Sequence, residues 1–207
     1  MVLRSRVILA VGAHPDDIEL GCGGTIRVSS LLGNKVIAVF LTRGEKNANP
    51  DVRVSESRKA LKLLGATEVH FGDFTDTEIP NSHAAIDFLE KFFDLNKPDT
   101  VLTHSVHDTH QDHRQVSWLS LSAFRNVQHL LAYETPRVTG EFNPNYFIDI
   151  SSSVHHKWDA LHCHQSQKDK RYIDYDSMVS LASFRGSQAN LNAAEAFEVI
   201  RYVESGT

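Results

Sequence analysis

The sequence predicts an α/β fold in which helices flank a mostly parallel, Rossmann-like β-sheet. Apolar runs rich in β-branched residues, such as VILAV at residues 7–11, are typical of strands buried on both faces. These runs alternate along the chain with segments whose apolar residues recur at helical spacing. With 207 residues, of which 41% are hydrophobic, the chain suits one domain, and we expect residues 1–207 to form it.

Strands and helices alternate clearly in the first half of the chain. Small residues open the first predicted helix, and Gly65 ends the second because glycine is favoured at helix C-termini. The predicted elements are a strand at 7–11, a helix at 21–32, a strand at 35–42, a helix at 52–64, a strand at 68–71 and a helix at 83–95.

The second half begins with the same alternation and then becomes less regular. A strand is expected at 100–104, a polar loop at 105–113, a helix at 114–127, a strand at 130–133, a strand at 146–150 and a helix at 154–164. Residues 195–203 fit a helix or a strand equally well, and residues 169–192 carry little recognisable chemistry but could form part of a substrate rim.

Composition excludes several classes of protein. The formal charge of −5 and the absence of a Lys/Arg run argue against a nucleic-acid partner. The apolar run at 7–11 is too short to span a membrane, and no small-residue cleavage site follows it, so we expect neither a membrane span nor a signal peptide. Cys22 and Cys163 are too few for a disulfide framework and suit a reducing, cytoplasmic location.

Two polar loops concentrate the residues that carry chemistry. The first loop, with His14, Asp16 and Asp17, follows the first strand, and the second loop, at 107–113, follows the strand at 100–104. In parallel sheets ligands bind at the carboxyl ends of the strands, where the strand order reverses. If these two strands are neighbours, both loops line one crevice.

The residue types in these loops suit a catalytic metal ion. Such an ion takes three protein ligands from His and carboxylate and leaves one position for water. His14, Asp17 and His113 would make such a set. Nitrogen and oxygen donors without a thiolate favour a catalytic site over a structural one, but they do not separate zinc from iron, manganese or cobalt.

Several motifs together resemble the LmbE-like or PIG-L deacetylases, whose signature is AHPDD, a glycine-rich turn and a later HxDH. Here the signature reads AHPDD at 13–17, GGT at 23–25 and HQDH at 110–113. The resemblance continues in RVSE at 53–56, HQSQ at 164–167 and AEAF at 194–197, and so covers nearly the whole chain.

The resemblance implies a zinc-dependent N-deacetylase that acts on an N-acetylglucosamine-type sugar or conjugate. It places one zinc ion per chain on His14, Asp17 and His113, with Asp16 as the general base that activates water. Adjacent Asp16 and Asp17 cannot both point at the same place, which agrees with one base and one ligand. The resemblance also makes a homo-oligomer plausible.

His110 and Asp112 complete the implied catalytic group. His110, held protonated by Asp112, would face the carbonyl oxygen and stabilise the oxyanion. An adjacent carboxylate raises the pKa of an imidazole, so Asp112 fits an orienting role better than a metal-binding one. Either Asp16 or His110 could return a proton to the departing amine.

Three candidate substrate-binding residues have structural alternatives. Arg53 could bind substrate hydroxyls, as the resemblance implies, or pair with Glu56 across one helical turn. His164 belongs to a matching motif, but a histidine at a helix end can also interact with the helix dipole. Asp108 could line the pocket or brace the loop.

Other functions remain open at this point. A metal- or nucleotide-binding Rossmann-like module without hydrolytic activity would need ligands but neither Asp16 nor His110. A related alternative is an amidase that acts on a larger sugar conjugate. A dinucleotide oxidoreductase should show a GxGxxG turn; Gly21, Gly23 and Gly24 lack that spacing and instead suit close packing of a helix against a strand.

Overall fold

A seven-stranded sheet organises the structure, a computed structural model that describes residues 6–204. Its strands are β1 (Val7–Gly12), β2 (Lys35–Phe40), β3 (Glu68–Phe71), β4 (Thr100–His104), β5 (His129–Tyr133), β6 (Tyr146–Asp149) and β7 (Ala194–Tyr202). They lie in the order β3-β2-β1-β4-β5-β7-β6. Strands β1 to β5 are parallel, and β7 runs antiparallel to both β5 and β6. The predicted mostly parallel sheet is therefore confirmed.

Six helices cover the two faces of the sheet. They are α1 (Asp17–Leu31), α2 (Pro50–Leu64), α3 (His83–Asn96), α4 (Gln111–Ala123), α5 (Val154–Leu161) and α6 (Tyr175–Gln188). Helices α1, α2, α5 and α6 pack on one face, and α3 and α4 pack on the other. Because both faces are buried, the central strands β1 and β2 are apolar at nearly every position. None of the helices in residues 6–204 combines the length and apolar character that crossing a bilayer requires.

Three elements differ from their predicted form. Helices α1 and α4 begin at Asp17 and Gln111, several residues before the predicted starts, because polar loop residues form their first turns. Helix α6 was not predicted, because its buried face consists only of Met178, Ala182 and Gly186, which leave little apolar periodicity. The ambiguous segment at 195–203 belongs to strand β7.

Helix α1 is interrupted in its middle, and a buried carboxylate caps the part that follows the interruption. Cys22 leaves helical geometry with φ −143°. Beyond it, the backbone N–H groups of Gly24 and Thr25 donate to the Glu195 carboxylate at 2.9 and 2.7 Å. Lys157 Nζ lies 2.6 Å from the same carboxylate. Glu195 therefore caps the second half of α1, as carboxylates do at helix N-termini.

Close packing explains the glycines of α1, but only Gly21 packs against a strand as expected, because Gly23 faces Leu64 and Lys157 of the neighbouring helices. A Cβ atom on Gly21 would lie 2.2 Å from Tyr133 Cδ2, and one on Gly24 would lie 2.8 Å from Ile150 Cγ2. Tyr133 is buried and donates its hydroxyl to the Val11 carbonyl at 2.8 Å, so its ring cannot easily yield.

We predict that Gly21→Ala lowers the free energy of unfolding by about 2 kcal/mol, because overpacking exceeds the roughly 1 kcal/mol gain in helix propensity. Urea denaturation measures the change. Gly140→Ala is the matched control, since a Cβ atom there meets nothing within 4 Å. Equal stability of the two variants would contradict the packing argument.

Candidate metal centre and active site

The two predicted loops meet where the strand order reverses. Strand β1 pairs with β2 on one side and β4 on the other, so the loops after β1 and β4 leave the sheet side by side. A crevice at the carboxyl ends of such strands is the usual ligand site of an open α/β sheet. The expected neighbourhood of the two loops is therefore present.

A sharp turn separates the carboxylates of Asp16 and Asp17. Asp16 has φ 119°, a left-handed value that few residues other than glycine adopt. Directly after it, Asp17 starts α1 and accepts a hydrogen bond from the His14 backbone N–H at 2.7 Å. The two side chains take different partners, because Asp17 contacts imidazoles and Asp16 contacts Arg53.

His14, Asp17 and His113 form the group of donors expected for a metal ion. His14 Nδ1 lies 3.3 Å from Asp17 Oδ2, and His113 Nε2 lies 3.2 Å from Asp17 Oδ1. One donor atom from each of the three residues lies within 4.8 Å of the others. Two imidazoles and one carboxylate suit a catalytic divalent ion such as zinc, so the residues present fit the metal that the sequence implies.

Carboxylates lie against the remaining nitrogen of each imidazole. His113 Nδ1 lies 2.9 Å from Asp108 Oδ2. His14 Nε2 lies 3.0 Å from Asp112 Oδ2 and 3.1 Å from Asp76 Oδ1. Such partners fix the orientation and tautomer of metal-binding histidines.

Two other groups of donors overlap with the first. They are His14, His110 and Asp112, and His104, Asp108 and His113. A small cavity lies at these donor groups, and four of their residues line it, namely His14, Asp17, His110 and His113. Only the first group therefore has all its members at the cavity, and it also leaves both of its imidazoles with an outer carboxylate.

The electrostatics of the group favour a cation. Burial disfavours the charged form of His113, but Asp17 and Asp108 outweigh burial and raise its pKa to about 9. The pKa of His14 is also raised against the effect of burial, by Asp112, Asp17 and Asp76. The acidic groups around the two imidazoles thus stabilise positive charge, and a bound divalent ion would supply such a charge.

Asp16 lies beside the donor group but is not part of it. The residue is 3% exposed, and its Oδ1 lies 3.1 Å from Arg53 Nη2. Among the described residues, Asp16 Oδ2 has no hydrogen-bond partner. Burial raises the pKa of Asp16 to about 6, although Arg53 opposes this rise. Asp16 therefore has one anchored oxygen and one available oxygen, as a general base requires.

His110 differs from the expectation that Asp112 keeps it protonated. The Asp112 carboxylate is directed elsewhere, since its Oδ2 contacts His14 and accepts from the Thr77 backbone N–H at 2.7 Å. Burial, together with the charges of His113 and His14, lowers the pKa of His110 to about 4. A neutral ring is therefore expected near pH 7.

The tautomer of His110 follows from its position at the start of α4. Its Nδ1 accepts a hydrogen bond from the Asp112 backbone N–H at 3.2 Å and so caps the helix. In a neutral imidazole the other nitrogen then carries the proton. Nε2–H can donate to an oxyanion without a full charge on the ring.

The three candidate substrate-binding residues are all buried. Arg53 lines the cavity and also donates to the Pro15 carbonyl. Its alternative partner Glu56 instead accepts from the Ser166 backbone N–H and hydroxyl at 2.8 and 2.6 Å. The ion pair of Arg53 is therefore with Asp16, not with Glu56.

Asp108 and His164 are buried, and each makes a polar contact with another residue near the site. Asp108 is 2% exposed and, besides contacting His113, accepts from the Thr135 hydroxyl at 2.6 Å. It therefore braces the loop. His164 is 1% exposed, and its Nε2 lies 3.0 Å from Glu19 Oε1. Neither residue is among those that line the cavity at the donor group.

Asp76, Glu19 and Tyr172 were missed from the sequence. Asp76 lies in the loop after β3, whose carboxyl end shares the sheet edge with β1, and this position was the one available signal. Glu19 lies two residues beyond the first motif, in the first turn of α1. Tyr172 lines the cavity from the stretch in which no pattern was recognised.

Comparisons with known proteins agree with the motifs. The family described as PIG-L, GlcNAc-PI de-N-acetylase, matches residues 9–124, which contain both loops. The uncharacterized deacetylase YaiS of Escherichia coli is 34% identical over 154 residues, 71% of this chain and 83% of that protein. The diacetylchitobiose deacetylase of Thermococcus kodakarensis is 28% identical over 187 residues, 78% of this chain and 70% of that protein.

The fold itself is shared with an enzyme of another reaction class. The crystal structure of GalB, a 4-carboxy-2-hydroxymuconate hydratase from Pseudomonas putida, superposes with a TM-score of 0.85 at 23% identity. The match covers 98% of this chain and 99% of that one. Since one fold can host different reactions, the reaction has to be argued from the site.

We expect His113→Ala to lower the metal content of the protein severalfold, because it removes one of the three expected ligands. Elemental analysis after zinc loading and dialysis measures the content. His107→Ala is the matched control, since His107 lies in the same loop and contacts Glu141 instead of the donor group. A fully loaded His113→Ala protein would show that another residue completes the site.

Proposed function

This chain belongs to the PIG-L family of de-N-acetylases, and we propose that it is a zinc-dependent hydrolase of the acetamide in an N-acetylglucosamine-type sugar or conjugate. The observation that carries the proposal is the available oxygen of Asp16 beside the donor group. A module that only binds metal has no need of a buried carboxylate that is neither a ligand nor fully paired. A hydrolase needs such a group to accept a proton from water.

We assign the metal to His14, Asp17 and His113. Asp17 supplies the one carboxylate of this set, and Asp108, Asp112 and Asp76 direct the imidazoles. A zinc ion bound here would act as a Lewis acid and lower the pKa of water to about 7. The negative cluster around the ligands stabilises that ion.

Asp16 is the general base in this mechanism. Arg53 holds Oδ1 by an ion pair of 3.1 Å, which leaves Oδ2 to take a proton from the attacking water. The left-handed backbone at Asp16 keeps its carboxylate away from that of Asp17. The proton stored on Oδ2 is then available to the departing amine.

His110 stabilises the oxyanion that develops on the acetamide oxygen. Its Nδ1 is occupied by the backbone of α4, so Nε2–H is the donor. Donors of this kind are pre-organised and need no rearrangement during the reaction. Because the neutral ring offers a single proton, we assign return of the proton to Asp16 and hydrogen bonding to His110.

The proposal of an amino-sugar substrate is supported by the name of the family and by the name of one relative. The family is described as acting on GlcNAc-PI, and the Thermococcus relative is named for diacetylchitobiose, so both names carry an N-acetylated amino sugar. A small cavity of about 90 Å³ at the donor group suits an acetamide better than a large polymer segment. An amidase that acts on a larger acyl group of such a conjugate is the alternative.

We extend the proposal to the whole chain and its location. One sheet runs through every strand, so the whole chain is proposed to act as a single deacetylase domain. Cys22 and Cys163 are both free, which suits a reducing compartment such as the cytoplasm.

Acetate release from N-acetylglucosamine and a panel of its conjugates tests the proposed reaction. Zinc-loaded protein should release one acetate per amine formed, and the panel ranks the substrates. Water addition to an unsaturated dicarboxylate by the same preparation, with no acetate from any member of the panel, would overturn the proposal.

Replacing Asp16 separates its role from metal binding. We predict that Asp16→Asn lowers kcat by about 100-fold to 10,000-fold, because the amide cannot accept the proton. Metal content should stay at the wild-type level, since Asp16 is not a ligand. Asp51→Asn is the control, because Asp51 is an exposed carboxylate paired with Arg43. Wild-type turnover by Asp16→Asn would remove Asp16 as the base.

A further inference from the structure

A second and larger cavity adjoins the metal centre. It has a volume of about 400 Å³, compared with about 90 Å³ for the cavity at the donor group. Leu20, Pro136, Arg137 and Tyr172 line both cavities, so the two spaces share a wall. Sites that hold small organic ligands measure roughly 300–1,000 Å³. The larger cavity falls in this range and the smaller one does not.

The interior of the larger cavity is apolar. Helix α6 contributes Met178, Leu181 and Ala182, and strand β7 contributes Ala194 and Ala196. All but Leu181 are almost completely buried. Such a surface gains free energy when an apolar group displaces water from it.

The charged groups in the interior of this cavity are paired with each other, whereas Arg137 and Arg171, which also line it, are exposed to solvent. Lys157 Nζ lies 2.6 Å from Glu195 Oε1. Arg185 donates to both oxygens of Glu134, at 2.6 and 2.8 Å. Since these groups neutralise one another, a charged ligand buried among them would find its counter-ion already engaged and would lose its hydration. A neutral ligand has no such cost.

We propose that the larger cavity binds a neutral, apolar aglycone, such as an aryl or short alkyl group, that is attached to the acetylated amino sugar. This inference rests on the proposed function, because it places the acetamide at the donor group and the aglycone across the shared wall. Tyr172 lies at that wall and marks the boundary between sugar and aglycone. The cavity therefore selects among N-acetylglucosamine conjugates.

The wild-type protein provides the first test. We compare phenyl and methyl N-acetylglucosaminides of the same anomeric configuration, by calorimetric binding and by acetate release. The phenyl glycoside should bind at least about tenfold more tightly and show a correspondingly higher kcat/KM, as expected when an apolar group enters an apolar pocket. Equal values for the two glycosides would overturn the proposal.

A cavity-filling variant locates the effect. Ala182→Phe should abolish the phenyl preference and leave the methyl glycoside nearly unaffected. Ser183→Phe is the matched control, because Ser183 is exposed on the same helix and does not line the cavity. An unchanged preference in Ala182→Phe would assign the phenyl group to another place. If Ala182→Phe does not fold, the ratio of phenyl-glycoside to methyl-glycoside affinity in the wild-type protein still tests the proposal.

The two measurements separate this inference from the proposed function. Tight binding of the phenyl glycoside without acetate release would support aglycone binding in the larger cavity and contradict the proposed deacetylase activity. Acetate release with no preference for the phenyl glycoside would support the deacetylase activity and contradict aglycone binding in the larger cavity.

Discussion

The Asp17 carboxylate is the interaction on which the site depends. It accepts the His14 backbone N–H at 2.7 Å and lies 3.2 Å from both His104 Nε2 and His113 Nε2. Asp17 therefore joins the loop after β1 to the loop after β4 at the point where the strand order reverses. Burial would raise its pKa, but the neighbouring imidazoles hold that pKa well below its usual value. The carboxylate stays charged and available to a cation.

Excess acidity around this carboxylate gives the rest of the site its roles. Three further carboxylates, those of Asp76, Asp108 and Asp112, contact the outer nitrogens of the two proposed histidine ligands. Those three carboxylates already have imidazole partners. Asp16 lines the cavity, and its Oδ2 has no hydrogen-bond partner among the described residues. Burial and neighbouring positive charge lower the pKa of His110, so the proposal gives this residue a hydrogen bond and not a charge. The proposed division between ligand, base and donor thus follows from the positions of these residues.

Local patterns sufficed for strands β1 to β6, most helices and the two loops, because apolar periodicity and polar motifs are properties of neighbouring residues, whereas the segment of β7 fitted a helix or a strand equally well. Other features arise only when distant segments meet. The protonation of His110 depends on His113 and His14, and Asp76 reaches His14 from a loop that carries no motif. Strand β7 lies between β5 and β6, a pairing that no local pattern encodes. Helix α6 buries a narrow stripe of small residues and Met178, so its own periodicity is faint.

The central claim is that one metal ion held by the Asp17 cluster is required for hydrolysis. Its most direct measurement is acetate release from N-acetylglucosamine by protein that has been stripped with a chelator and then titrated with zinc. The account predicts no acetate from the stripped protein and a rate that rises in proportion to added zinc until about one equivalent per chain is bound. Full activity in verified metal-free protein would contradict the account, as would stoichiometric zinc binding that restores no activity toward any conjugate.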